Sequence, residues 1–155
     1  MAYVDGFIVP VPKRHLGAYR RMARKAGKIW REHGALDFKE CVADDVKPGK
    51  WTSFPQSVQL KDDETVVFSW IVYNSREERD ATNAKVMEDP RMKDMMDPKK
   101  LPFDGQRMFW GGFKSLVELA DHELHAAALA GAGDAGDPVG RKTRLLQGIA
   151  HALQP

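Results

Sequence analysis

Apolar and polar positions in the first third of the chain follow two different periods. Over residues 14–33 apolar side chains recur every three or four positions, which predicts one long amphipathic helix ended by Gly34. Residues 36–42 alternate with a period of two and predict a strand with one mostly apolar face. Ahead of both, residues 3–11 are rich in β-branched and aromatic side chains and predict a first strand.

Two more strands and a second helix are predicted further along. Residues 64–73, ETVVFSWIVY, are apolar on both faces, which is typical of a strand covered on both sides. Ser75 and Glu78 form a capping box, so a helix is expected over residues 76–88. Residues 107–119 alternate again and predict a fourth strand, in which a glycine pair allows close approach of a backbone or ligand.

The two long connections are rich in loop-forming residues. Residues 44–55 collect Asp, Pro and Gly and predict a loop, which we expect Trp51 and Phe54 to fix to the body of the domain. Residues 89–105 contain three prolines and predict an irregular connection with a short helical turn over residues 91–95.

The order β-α-β-β-α-β is the split pattern of a ferredoxin-like α+β fold, with two helices on one face of the sheet. We assign this domain to residues 1–119. Residues 120–155 are predicted to be an appendage, with a Gly/Asp-rich linker, GAGDAGDPVG, and a short amphipathic helix over residues 141–153. Because the elements of the fold are complete before it, the appendage is expected to be dispensable for folding.

Composition narrows the class of protein. The chain has 155 residues, of which 43% are apolar, enough for one buried core, and its net charge is only +2. Its single cysteine, Cys41, excludes an intramolecular disulfide framework. No signal peptide or membrane-length apolar run is evident, so we expect a cytoplasmic protein without membrane contact.

Several separate blocks resemble a known family. They are YVDGFIVPVPK, REHGALDFKECVADDV, TSFP, VVFSWIVYNSREERDATNAKVMEDPRM and PFDGQRMFWGGF. Together they are similar to the YbaA-like family of small bacterial proteins of unknown function, over about the first 119 residues. The resemblance implies a homodimer, in which two ferredoxin-like sheets face each other as a dimeric α+β barrel. It implies no established activity, and we predict no cofactor.

The residues themselves also favour a partner for the sheet. Helices cover one face, yet the third predicted strand presents apolar side chains to both, so something must cover the second face.

Glu40 is the first candidate for chemistry. It shares an apolar strand face with Leu36, Phe38 and Val42, where an unpaired carboxylate is costly to bury. We predict that Glu40 is catalytic as an acid or base, with His33 as its partner. The structural alternative is that Glu40 bonds Arg107 or a backbone amide, while His33 interacts with carbonyls at the helix end.

The remaining candidates concern ligand binding. Trp70, Trp110 and Phe38 are predicted to line an apolar cavity, although aromatic residues at this spacing are also common in cores. Asp104 and Arg107 precede the fourth strand and are predicted either to orient an anionic ligand or to form a turn and an ion pair. Cys41 is expected to be a buried, inert thiol. His122 and His125 lack a third metal ligand, so we predict no metal site.

Two hypotheses for function follow. In the first, the domain binds a small apolar or aromatic molecule, as in a cofactor-independent monooxygenase-like or isomerase-like enzyme. In the second, the first helix, which carries seven basic residues, contacts RNA or a protein. We favour the first, because we expect Glu77, Glu78 and Asp80 to neutralise part of that helix, and because the third strand lacks the RNA-recognition sequence.

Overall fold

A computed structural model describes residues 1–119, which contain four strands and four α-helices. A short 3-10 turn, Lys13–His15, precedes the first helix. The elements are β1 Tyr3–Pro12, α1 Leu16–His33, β2 Asp37–Val42, α2 Phe54–Ser57, β3 Glu64–Tyr73, α3 Arg76–Glu88, α4 Pro90–Met95 and β4 Phe109–Lys114. The predicted appendage, residues 120–155, lies outside the described residues.

The four strands form one antiparallel sheet in the order β2-β3-β1-β4, so β2 and β4 are its edges. α1 and α3 pack beside each other, as the ferredoxin-like prediction requires. Capping contributes to the start of α3, because Ser75 Oγ accepts the backbone N–H of Glu78 at 3.1 Å. The predicted α+β ferredoxin-like fold is confirmed.

β4 is shorter at both ends than the predicted strand 107–119. At its start, Arg107 is held outside the ladder by bonds to Asp104 and Glu64. At its end, Lys114 pairs with Tyr3, and Ser115 N–H donates to the carbonyl of Ala2. The ladder with β1 therefore ends at the pair of Tyr3 and Lys114.

The long loop also differs from prediction. Phe54–Ser57 forms a helical turn, because Ser53 caps it and a proline lies in its first turn. Phe54 contacts Phe68 with ring centroids 5.9 Å apart, as expected of a residue that fixes the loop. The same expectation for Trp51 is wrong, since Trp51 is 79% exposed. Its ring lies 5.2 Å from Nζ of the neighbouring Lys50.

Register divides the sheet into two faces. The helix-side face carries Val9, Val67, Ile71 and Tyr73, which are buried beneath the helices. The opposite side, here called the open face, carries Phe68, Trp70, Phe109 and Phe113. Val58, just after α2, packs on Ile8 and Val66 at one end of the open face. Elsewhere, within residues 1–119, Phe68 and Phe113 stay 42% and 64% exposed.

Gly27 lets α1 approach β2 closely. A Cβ at this position would lie 2.6 Å from the ring of Phe38, well inside van der Waals contact. The glycine therefore allows the Phe38 ring to pack directly against the helix, next to the space that contains Glu40.

Candidate functional site

Glu40 lies on the helix-side face of β2, opposite Ser69 of β3. Phe38 and Val42 share this face, so the predicted direction of the Glu40 side chain is confirmed. The buried residue Tyr19 of α1 donates its O–H to Glu40 Oε2 at 2.7 Å. The carboxylate thus points from an edge strand to the underside of a helix.

The surroundings of Glu40 make it hold its proton more tightly than a carboxyl group in water does. Glu40 as a residue is exposed, but its carboxyl group is partly buried against Tyr19. This desolvation raises the pKa of Glu40, while the Tyr19 hydrogen bond and the nearby Ser69 hydroxyl act in the opposite direction and only partly offset it. Within residues 1–119, no lysine or arginine pairs with this carboxylate. Burial and the adjacent Glu40 charge also raise the pKa of Tyr19, so its hydroxyl stays a hydrogen-bond donor.

Glu40 borders two separate spaces. One is an open groove of about 920 Å³ between α1 and β2, here called the outer groove. The other is a smaller cavity of about 110 Å³ between the helices and the sheet, here called the inner cavity. The residues that line both spaces are Tyr19, Ala23, Phe38 and Glu40. Glu40 and Tyr19 are therefore positioned where a group entering from the groove would meet the protein interior.

The two spaces differ in chemistry. The inner cavity is almost entirely apolar, and its lining includes five methionines, Met22, Met92, Met95, Met96 and Met108. Methionine side chains adapt readily to the shape of what they contact. The outer groove combines an apolar set, Leu16, Ala23, Phe38, Val42 and Val67, with a basic set from α1, Arg20, Arg24, Lys28 and Arg31.

His33 does not pair with Glu40, so that predicted pairing is wrong. His33 Nε2 lies 3.0 Å from Asp89 Oδ2, at the start of α4. The pKa of Asp89 is lowered, first by hydrogen bonds from Arg91 and then by that from His33. α1 carries His33 away from β2 because Gly34, with φ of 125°, reverses the chain before the strand begins.

Trp70 and Trp110 cannot close one cavity within a chain. Trp70 lies on the open face, whereas Trp110 pairs with Phe7 and lies on the helix-side face. Trp110 stacks on Phe7 with centroids 5.9 Å apart, and Trp70 contacts Phe68 at 5.5 Å. Of the three aromatic residues predicted to line a ligand cavity, Phe38 alone borders the spaces around Glu40.

Asp104 and Arg107 form the structural arrangement that was the alternative to ligand binding. Arg107 Nε donates to Asp104 Oδ2 at 2.9 Å, and Nη1 donates to Glu64 Oε1 at 2.7 Å. Arg107 also donates to the carbonyls of Val58 and Gln59, at 3.1 and 3.2 Å. Its donors are thus used by the protein, and its acidic partner is Glu64 and not Glu40.

Cys41 is exposed, so the prediction of a buried thiol is wrong. It lies opposite Phe68 on the open face, at the outer edge of the sheet. An edge strand has no neighbouring strand to cover its outward side, which leaves the thiol accessible.

The basic face of α1 is not neutralised as predicted. Asp80 pairs with Arg76 and Arg79 of its own helix. Within residues 1–119, none of Glu77, Glu78 and Asp80 forms an ion pair with α1. The charges of α1 beside the outer groove therefore remain available.

Sequence reasoning missed Tyr19, which is the hydrogen-bond partner of Glu40, and Ser69, which is its cross-strand neighbour. Tyr19 has the spacing of a core position in α1, and Ser69 is a small polar residue in an otherwise apolar strand. A polar atom at a core position is a usable signal, because buried hydroxyl groups need hydrogen-bond partners. Which partner each would find depends on the packing of α1 on the sheet.

Residues 1–119 contain neither a candidate metal site nor a candidate membrane span. No group of three His, Cys, Asp or Glu side chains in this range could hold a metal ion. No helix among these residues is both long and apolar enough to cross a membrane. His122 and His125 lie outside the described residues.

Residues 2–105 match the model of a family described as a protein of unknown function, DUF1428. The chain belongs to this family. It is 52% identical over 118 residues to the uncharacterized protein YbaA of Escherichia coli strain K12, which covers 76% of this chain and 99% of the relative. The YbaA protein of Shigella flexneri matches to the same extent. These relatives confirm the YbaA-like resemblance and bring no activity with them.

The fold of this DUF1428 member also occurs in a solved structure. An uncharacterized NIPSNAP domain protein from Burkholderia xenovorans superposes with a TM-score of 0.51 and 12% sequence identity. The match covers 77% of this chain and 99% of that protein. At this identity the likeness concerns the fold alone.

Proposed function

We propose that this protein binds a small molecule with an apolar or aromatic body in the outer groove, and that Glu40 exchanges a proton with it. The observation that carries the proposal is the position of the Glu40 carboxyl group, which lacks a cationic partner within residues 1–119 and borders both an open groove and an apolar cavity. A carboxyl group with a raised pKa and no cationic partner, next to unfilled space, is typical of a functional site.

The chemistry available to Glu40 is general acid–base catalysis. Because its pKa is raised, the Glu40 carboxylate is a stronger base than an ordinary glutamate. A stronger base accepts a proton more readily from a weakly acidic ligand. Once Glu40 has taken up a proton, it can donate to the Tyr19 oxygen, which releases the Tyr19 O–H to donate to a ligand oxygen that gains charge. Removal of a proton from the ligand is the step that isomerisation and cofactor-free oxidation share, so this is the reaction class that we assign.

The location of binding can be tested with phenylnaphthylamine, an uncharged dye that fluoresces in apolar surroundings. We expect the natural protein to bind it and Val42→Asp to lose it, because Val42 lines the outer groove and is itself exposed, so the change leaves the core intact. Phe113→Ser, which alters the open face, is the control and should retain the dye. Loss in Phe113→Ser with retention in Val42→Asp would place the apolar site on the open face and contradict the proposal.

The role of Glu40 needs a separate experiment. After equilibration with a bacterial metabolite extract, native mass spectrometry should detect a retained small molecule on the natural protein and none on Glu40→Gln. Asp37→Asn is the matched control, since Asp37 also lines the outer groove but pairs with Lys39 at 2.7 Å. If Glu40→Gln retains the molecule and Asp37→Asn loses it, binding requires the carboxylate of Asp37 and not that of Glu40, which contradicts the proposal.

We further propose that a second copy of this chain covers the open face, as the dimeric α+β barrel requires. Supporting this, Phe68, Phe109 and Phe113 form an exposed aromatic group on a sheet whose other face is already buried. Sedimentation at micromolar concentration should give a dimer, and Phe113→Asp should give a folded monomer. A natural protein that sediments as a monomer would overturn the proposal.

A further inference from the structure

We propose that the molecule bound in the outer groove carries an anionic group, a carboxylate, sulfonate or phosphate, which Arg20, Arg24 and Lys28 hold while its apolar body lies against Phe38 and Val42. This inference rests on the proposed function, and it specifies the chemical class of the ligand.

The three basic residues form a row on α1. They occur at intervals of four residues, which places them one above the other on the same side of a helix. All three line the outer groove and are exposed. Within residues 1–119, none of them forms an ion pair. Adjacent like charges on a helix repel one another, so an anion bound between them would be stabilised by all of them.

The other charged side chains of the groove are already engaged. Glu32 pairs with Arg91 at 2.7 Å, and Asp37 pairs with Lys39 at 2.7 Å. Arg31 donates to the carbonyl of Ala35 at 2.9 Å and also to that of Leu36, and so holds the end of α1. Glu40 accepts from Tyr19 and also borders the inner cavity. The unpaired charge at the groove is therefore predominantly positive.

Apolar and basic linings meet in one concave space, and this favours an amphipathic anion over a polyanion. A nucleic-acid backbone needs a continuous basic surface, and the apolar lining of the groove offers it no contacts. Arg21 and Lys25 are also exposed on α1, but they do not line the outer groove. These two residues provide an internal control, since they carry the same charge on the same helix outside the groove.

A matched pair of dyes tests the inference. Anilinonaphthalene sulfonate and phenylnaphthylamine share an aromatic body and differ by the sulfonate. At low salt we expect the natural protein to bind the sulfonate about tenfold more tightly, a difference that a few partly exposed ion pairs can provide. Arg24→Gln with Lys28→Gln should remove this preference and leave affinity for the uncharged dye unchanged. Arg21→Gln with Lys25→Gln should retain it.

Three results would overturn the inference. The natural protein could bind both dyes equally, or Arg21→Gln with Lys25→Gln could abolish the preference as fully as the groove pair does. The third result is that a labelled single-stranded RNA binds the natural protein and that both double variants lose it to the same extent. The basic residues of α1 would then bind a polyanion and not a small anionic molecule. Failure of the natural protein to bind the uncharged dye is a different outcome, because it contradicts the proposed groove itself and does not concern the anionic group.

Discussion

Two carboxylates on the helix-side face of the same sheet have opposite surroundings. Asp5 in β1 is 1% exposed, and Arg79 Nη1 of α3 lies 3.3 Å from its Oδ1. Glu40 in β2 is exposed as a residue, accepts a hydrogen bond from the neutral Tyr19 hydroxyl and lies opposite Ser69. Burial raises the pKa of both acids, but only for Asp5 does a nearby cation act against that shift.

The surroundings of Asp5 form a buried polar network, although Asp5 Oδ1 and Arg79 Nε make no hydrogen bond within residues 1–119. Asn83 Nδ2 donates to Asp5 Oδ2 at 3.4 Å, and Asn83 Oδ1 accepts from Trp30 Nε1 and the Tyr73 hydroxyl, both at 3.0 Å. The network joins α1, β3 and α3 to the first strand. Asp5 borders neither the outer groove nor the inner cavity. A buried acid paired with a cation and away from any groove stabilises the fold, whereas an exposed acid with neutral partners beside a groove is available to a ligand.

The largest expected effect is that of Asp5→Ala. The change leaves Arg79, whose side chain is mostly buried, with Asp80 as its remaining acidic partner. Removing one member of a buried ion pair costs on the order of 3–5 kcal/mol, and urea denaturation should show a loss of this size in the free energy of unfolding. Asp5→Ala combined with Arg79→Met should recover part of the loss. A loss below about 1 kcal/mol would mean that the network is not structural.

A somewhat smaller loss is expected for Arg107→Met. Glu64 is 3% exposed as a side chain and would lose its cation, although the Lys61 N–H still donates to it at 2.8 Å. Hydrogen bonds to charged groups contribute about 2–3 kcal/mol, and we expect the free energy of unfolding to fall by this amount at neutral pH.

The pH dependence of Arg107→Met has a defined sign. Hydrogen bonds from Arg107 lower the pKa of Glu64, so the stability that they provide is present above the unfolded pKa and is lost as pH falls through the folded pKa. The difference between the natural protein and the variant should therefore narrow in acid. A difference that stays constant down to the acid transition would contradict this assignment.

The smallest effect is expected for Glu40→Gln, whose stability should stay within about 1 kcal/mol of the natural protein. The glutamine oxygen can still accept from Tyr19. Because the pKa of Glu40 is raised, the folded protein binds its proton more tightly than the unfolded chain, and stability falls as pH rises from the unfolded value through the folded one. Glu40→Gln lacks this fall, so its stability relative to the natural protein should increase with pH.

Urea denaturation at a series of pH values measures this trend. Arg107→Met serves as a control, because Arg107 bonds Glu64 and does not reach Glu40. Its own pH dependence comes from Glu64, so it should not reproduce the trend of Glu40→Gln. A loss of several kcal/mol in Glu40→Gln would make Glu40 structural like Asp5 and remove the distinction between the two carboxylates.

Local patterns determined most of the fold. The periods of three to four and of two predict α1 and β2, and the capping box at Ser75 predicts the start of α3. The same alternation predicts that Glu40 points with Phe38 and Val42, because side chains in a strand alternate between two faces. These features depend on neighbouring residues, so the order of amino acids suffices to predict them.

The tertiary structure alone decided what meets what. Trp70 and Trp110 lie on opposite faces of the sheet. The faces that they occupy depend on the register of β3 and of β4 against β1, and no local pattern encodes that register. His33 bonds Asp89, 56 residues away, and Glu40 bonds Tyr19, 21 residues away, because the packing of α1 on the sheet brings these groups together. The raised pKa of Glu40 and the spaces beside it depend on how α1 packs on the sheet, so the sequence predicted which residue to examine but not the environment that makes it a candidate.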